Sequence, residues 1–104
     1  MFSNEIFDKY FDFQWDNGND TKSWNKHEVS QIECEQVFFN FPIIVTHDSK
    51  HSHEEIRYRL LGRTNNDRKL YLAFTLRRNL VRIISARDMD RNERGIYEET
   101  QKNS

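Results

Sequence analysis

Three closely spaced runs constrain this chain more than any other feature. Arg57–Arg63, Lys69–Thr75 and Leu80–Arg87 each interleave branched or aromatic residues with cations. Only short polar stretches, around Asn65-Asn66-Asp67 and Arg78-Asn79, divide them. Such runs joined by tight turns predict an antiparallel meander. Upstream, Phe11–Trp15 alternates with period two and predicts a short strand. Asp16-Asn17-Gly18-Asn19 predicts a turn whose Asp or Asn caps a helix running to about Lys26. Ser30 and Glu33 form a capping box that opens a second helix, with Cys34, Val37 and Phe38 on one face and Ile32 and Phe39 widening it. Pro42 ends that helix, and Ile43–Thr46 predicts another strand. His47–Glu54 is polar and predicts a loop. Asp90 and Glu93 repeat the capping box before a C-terminal helix through about Glu99, with Thr100–Ser104 frayed.

The order β, α, α, β, β, β, β, α predicts an α+β fold, an antiparallel sheet with two N-terminal helices and one C-terminal helix packed on it. The length of 104 residues suits one domain spanning 1–104, with 1–12 as an N-terminal extension. The core is small, since hydrophobic residues make up 36% and charged residues 32%, but eight Phe, four Tyr and two Trp enlarge it. No apolar run approaches the roughly 20 residues that span a bilayer, and Met1–Tyr10 lacks the pattern of a secretory signal. With a single cysteine, Cys34, no internal disulfide can form, so the expected compartment is reducing and cytoplasmic, with no membrane partner.

A formal net charge of -1 hides a division along the chain. Residues 1–56 carry four Lys against eleven acids, whereas residues 57–94 carry all ten Arg and Lys69 against four acids. Guanidinium groups bind phosphate bidentately and stay charged at any working pH. The Arg block therefore fits a phosphate-rich ligand such as nucleic acid. It equally fits a solvated sheet face, or mutual neutralisation of the two halves.

Strict alternation along the last run places Leu80, Arg82, Ile84 and Ala86 on one face and Val81, Ile83, Ser85 and Arg87 on the other. Arg57, Arg59, Leu61 and Arg63 share a face of the first run, and Lys69, Tyr71, Ala73 and Thr75 one of the second. Such a face suits an RNA backbone, or is an ordinary wet face. Glu55, two residues before Arg57, is a salt-bridge partner or a general base for a ribose 2′-hydroxyl. Lys26 and His27 close the first helix, where cations complement the helix dipole. The same two residues suit phosphate contact and proton transfer, because imidazoles titrate near neutrality. His47, Asp48, His51 and His53 match no strong metal-binding spacing, so neither metal nor cofactor is expected. Cys34 falls on an apolar helical face and reads as buried and inert.

Taken in order, Phe13-Gln-Trp15-Asp16, Lys26-His27-x-Val29, Val37-Phe38-Phe39-Asn40-x-Pro42, Glu55-x-Arg57, Thr75-x-Arg77, Arg82-Ile-Ile-Ser-Ala-Arg87 and Glu93-Arg94-x-x-Tyr97 resemble the BrnT family, toxins of a bacterial type II toxin–antitoxin system. The resemblance covers about Phe13 to Glu98. It implies a RelE-like fold and a metal-independent endoribonuclease. It also implies a small cognate antitoxin (BrnA-like) in a 2:2 heterotetramer, with DNA bound only through that antitoxin. On this reading Lys26, His27, Glu55, Arg57, Arg77 and Arg87 are catalytic, and Arg63, Arg82 and Ser85 bind RNA. Three positions depart from the family pattern. Glu28 replaces a Gly after Lys-His, and Asn19 and Ser23 stand where Lys and Asn are usual. The alternative is a non-catalytic RNA- or partner-binding α+β module. A third reading, a metal-dependent enzyme using His47, His51 and His53, predicts activity abolished by chelation.

Overall fold

A computed structural model describes residues 12–103. The elements are β1 (Asp12–Phe13), α1 (Lys22–His27), α2 (Gln31–Gln36), β2 (Ile44–His47), β3 (Arg57–Arg63), β4 (Lys69–Arg77), β5 (Leu80–Asp88) and α3 (Arg91–Lys102), with 3-10 turns at Val37–Phe39 and Ser49–His51. The five strands form one sheet in the order β1-β5-β4-β3-β2. Strands β2 to β5 pair antiparallel as the meander predicts. The expectation of a wholly antiparallel sheet needs correction, because β1 pairs parallel to β5. Alternation marks a strand but not the direction of its partner. A parallel partner needs a long crossover, and here everything from Gln14 to Asn79 supplies it. Phe11, the predicted start of this strand, lies outside the described residues.

Both capping boxes are present. Ser30 and Glu33 exchange bonds at the start of α2, and Asp90 and Glu93 do so at the start of α3. The first helix departs from expectation at both ends. Its N-cap is Thr21, with no side-chain cap bond, rather than an Asp or Asn of the preceding turn. Its C-cap is Glu28 in the left-handed region, φ 55° and ψ 39°. The C-terminal helix continues to Lys102, beyond the expected end near Glu99. The β4–β5 hairpin turns on Arg78 and Asn79, both at positive φ, as a two-residue turn matching the twist of the strands requires.

The core lies on one face of the sheet. Leu60, Leu70, Leu72, Phe74, Val81, Ile83 and Ala86 pack against Val29, Cys34, Val37 and Phe38 of the α2 region. Each Val, Leu, Ile or Phe side chain among them contributes about 1.5–3 kcal/mol of burial. A Cβ on Gly62 would stand 3.0 Å from Val37 Cβ, so the glycine is what lets the 3-10 turn lie against β3. Burial also pushes the Cys34 thiol up to about 12, which leaves it protonated and unreactive. The other face is partly covered by α3. Tyr97 is buried there and donates to the Pro42 carbonyl at 2.7 Å, while Glu93 and Glu98 pair with Arg87 and Lys69.

Strict alternation fails in β5. Ala73 pairs with Ser85 but Phe74 pairs with Ile83, so Ile84 is an extra, bulged residue. The phase of the strand reverses there. Arg82, Ser85 and Arg87 consequently share the face opposite the core, and Ala86 joins Val81 and Ile83 inside. The expected faces, which separated Arg82 from Arg87 and placed Ala86 beside Arg82, are corrected by this one residue.

Candidate functional site

The site is built on the outer edge of β5. Only two residues of β1 cover that edge, and polar groups of the following segment satisfy the rest. Gln14 N–H donates to Val81 O at 2.9 Å, Asn19 Nδ2 donates to Ile83 O at 3.0 Å, and Ala86 N–H donates to Ser23 Oγ at 2.9 Å. Asn19 and Ser23, two of the positions that depart from the family pattern, thus close an otherwise unpaired strand edge. Their side chains fix α1 beside Ser85 and Ala86.

The end of α1 is held by Arg68. Its guanidinium donates to Glu28 O at 2.9 Å and His27 O at 3.3 Å, and to Glu33 at 3.1 Å and Asp88 at 2.8 Å. One cation therefore neutralises the negative end of the helix and ties it to α2 and β5. The side chains of Lys26 and His27 remain directed to a cleft of about 330 Å³, which Lys22, Ser23, Ser85, Ala86 and Arg87 also line. Four predicted site residues meet here: Lys26, His27, Ser85 and Arg87.

Arg87 is fixed from three sides. Its guanidinium carbon lies 4.1 Å from the centre of the Tyr71 ring. Two nitrogens donate to Glu93, at 2.7 and 3.0 Å, and one donates to Asp88 O at 3.1 Å. Glu93 serves at once as the capping-box acid of α3 and as the anchor of Arg87. Glu93 and Tyr71, which hold Arg87 in place, were not assigned from the sequence. Their signal was Glu93 within the quoted motif and Tyr71 on the face of a strand already rich in cations.

The remaining predicted cations stand further along the same sheet face. Arg57 and Arg82 flank Thr75 across three strands. Arg82 donates to both oxygens of Asp16, at 2.7 and 3.0 Å, and holds that carboxyl below its usual range. Arg77 donates to both oxygens of Glu55, at 3.0 and 2.9 Å, and lowers its pKa likewise. The salt bridge expected at Glu55 is thus made with Arg77. Arg77 is six residues along β4 from Tyr71, roughly 20 Å at strand spacing, so Glu55 and Arg77 do not converge with His27 and Arg87. Between the two groups lie Arg59, Ala73 and Ser85 in one cross-strand row. Among the described residues, neither Arg57 nor Arg59 has a carboxylate within ion-pair distance. Arg63 belongs to neither group, since it donates to Phe41 O at 3.1 and 2.8 Å beside the α3 end of the sheet.

In the His-rich loop, His51 Nδ1 lies 3.0 Å from Asp48, which is held below its usual value despite its desolvation. Among the described residues, no three His, Cys, Asp or Glu side chains are grouped to hold a metal ion. No helix among them is long and apolar enough to cross a membrane.

Comparison with known proteins adds one match. A family model described as "Ribonuclease toxin, BrnT, of type II toxin-antitoxin system" aligns with residues 15–93. No curated protein matches the chain.

Proposed function

Since the chain belongs to the BrnT family of ribonuclease toxins from type II toxin–antitoxin systems, we propose that it cleaves RNA without a metal ion in the cleft between α1 and β5. The observation that carries this reading is the meeting of Lys26, His27, Ser85 and Arg87 around one open cavity beside a cationic sheet face. The RNA backbone runs along that face from Arg57 and Arg82, past Arg59, to the cleft. His27 removes the proton from a ribose 2′-hydroxyl. The 2′-oxygen attacks the adjacent phosphorus, the bond to the 5′-oxygen breaks, and that oxygen takes a proton from Lys26 or from solvent. Arg87 and Lys26 face the charge that builds on the phosphoryl oxygens, and Ser85 orients them. The products carry a 2′,3′-cyclic phosphate and a 5′-hydroxyl. Of the two bases the sequence offers, His27 is favoured over Glu55, because Glu55 lies away from the cleft and its bond to Arg77 lowers its pKa and makes it a weaker proton acceptor.

The fold of the family on this reading is RelE-like. The toxin is neutralised by a small cognate antitoxin in a 2:2 assembly that reaches DNA only through the antitoxin. One observation favours a non-catalytic binding module instead: Arg77, Arg82 and Arg87 each already hold a carboxylate bidentately. The two readings separate in the cell. The nuclease arrests growth when expressed alone and is relieved by the neighbouring small gene, whereas a binding module does neither. In vitro, protein freed of antitoxin degrades RNA in EDTA. Intact RNA, or cleavage that requires added metal, contradicts the proposal.

A further inference from the structure

The polar turn after β2 is pinned to the cationic face of the sheet. Alternation along β2 puts Thr46 opposite Arg59 and turns His47 to the core face, its ring 6.1 Å from that of Tyr58. Asp48 comes next, on the same outer face as Arg57 and Arg59, and its N–H donates to Arg57 O at 2.8 Å. Ser52 Oγ donates to Asp48 O at 2.6 Å and accepts the Arg57 N–H at 2.9 Å, which fastens the turn to β3. Asp48 is only 8% exposed, and its two carboxylate oxygens lie 3.2 and 3.0 Å from His51 Nδ1. The His51 side chain nevertheless stays 58% exposed. With Nδ1 committed to the carboxylate, Nε2 is the ring nitrogen available to a ligand.

We propose that His51, oriented by Asp48, is a phosphate contact of the RNA track, gripping the backbone at the β2 edge of the sheet. The inference rests on the RNA reading of this face and adds to it a site remote from the scissile bond. The cleft beside β5 lies three strand spacings away, roughly 14 Å, so the two sites hold different phosphates. The charged or titratable groups around His51 are Asp48 beneath it, Lys50 and His53 along the turn, Arg57 and Arg59 on β3, and Tyr71 on β4, within electrostatic reach of Asp48. Burial raises the Asp48 carboxyl, but the bond from His51 and the charges of His51 and Arg59 outweigh it. The carboxylate is therefore ionised and favours a positively charged ring above it. The two guanidiniums, which have no carboxylate within ion-pair distance among the described residues, oppose that charge. A phosphate entering between them removes the opposition. RNA binding at this site then takes up a proton, and affinity rises as pH falls.

The test measures binding of a single-stranded 2′-O-methyl oligouridine, which has no free 2′-hydroxyl to react, to wild type and His51→Gln in EDTA over a range of salt. Gln keeps an N–H donor for Asp48 but carries no charge. At about pH 5.5 wild type should bind several-fold more tightly, with a plot of log Kd against log salt steeper by about 0.7, the value of one phosphate contact on a single strand. At about pH 8 the two proteins should coincide. The share of His27 is common to both, so the difference isolates His51. Wild type and variant alike at both pH values overturn the proposal and leave the RNA reading standing. An equal loss in the variant at both pH values marks a structural role and overturns it too. If neither protein binds the oligonucleotide at either pH, the RNA reading falls and the proposal with it.

Discussion

Arg82 and Arg87 present their guanidinium groups on the same face of one strand although five positions separate them, because Ile84 bulges between them. Without the bulge, an odd separation would place one of the two cations in the core. Deleting Ile84 shortens that separation to four, so a regular strand keeps both cations on the outer face and Val81, Ile83 and Ala86 in the core. The expected result is a retained cooperative thermal transition, read by circular dichroism. Loss of that transition in the deletion variant contradicts the assigned register.

Arg68 joins α1, α2 and β5 through one guanidinium. Replacing it by Ala removes a donor from Glu33, Asp88 and two helix-terminal carbonyls and costs about 2–4 kcal/mol. For a domain of this size that lowers Tm by roughly 10 °C or more. Arg68→Lys recovers only part of the loss, because an ammonium cannot span the same fork of acceptors. Equal melting of wild type and Arg68→Ala would show the network to be incidental.

Glu28 adopts a left-handed conformation that costs a side-chain-bearing residue about 1–2 kcal/mol and glycine very little. Its backbone N–H and carbonyl, not its carboxylate, make the bonds at the helix end. Glu28→Gly is expected to raise Tm by several degrees and to remove an anion next to Lys26, strengthening RNA binding. A fall in Tm contradicts this account of the helix end.

Acid sensitivity follows from the ion pairs. Arg68 holds Asp88 below its ordinary value, and Arg77 does the same for Glu55. Burial raises Glu33, but bonds from Ser30 and Arg68 outweigh it. These groups bind fewer protons folded than unfolded, so their contribution is complete above the ordinary carboxylate range, about pH 4, and is lost as pH falls through their depressed values. Tm should be flat from neutrality to about pH 5 and drop steadily below about pH 4.5. A Tm that rises between pH 5 and pH 3.5 would contradict the pairings.

The elements whose signals are local were legible in the sequence. The capping boxes at Ser30 and Asp90, the two turns and the three meander strands all rest on residues within a few positions of one another. What escaped depends on distant partners. The parallel direction of β1 is set by β5, almost seventy residues on. The bulge at Ile84 exists only relative to β4, and it decides which cations share a face. The role of Arg68 has no local signal, because its acceptors lie 20 to 41 residues away. The same non-local facts split the predicted site, bringing Lys26, His27, Ser85 and Arg87 together and leaving Glu55, Arg57, Arg77 and Arg82 at the other end of the face.

That division makes the central claim directly measurable through single-turnover cleavage of an RNA in EDTA by wild type and variants. His27→Ala and Arg87→Ala should lower the rate at saturating RNA by about a hundredfold or more. Arg57→Ala should instead weaken RNA binding and leave that rate within a few-fold. If wild type and Arg87→Ala degrade RNA equally, the cleft between α1 and β5 is not where the chemistry occurs.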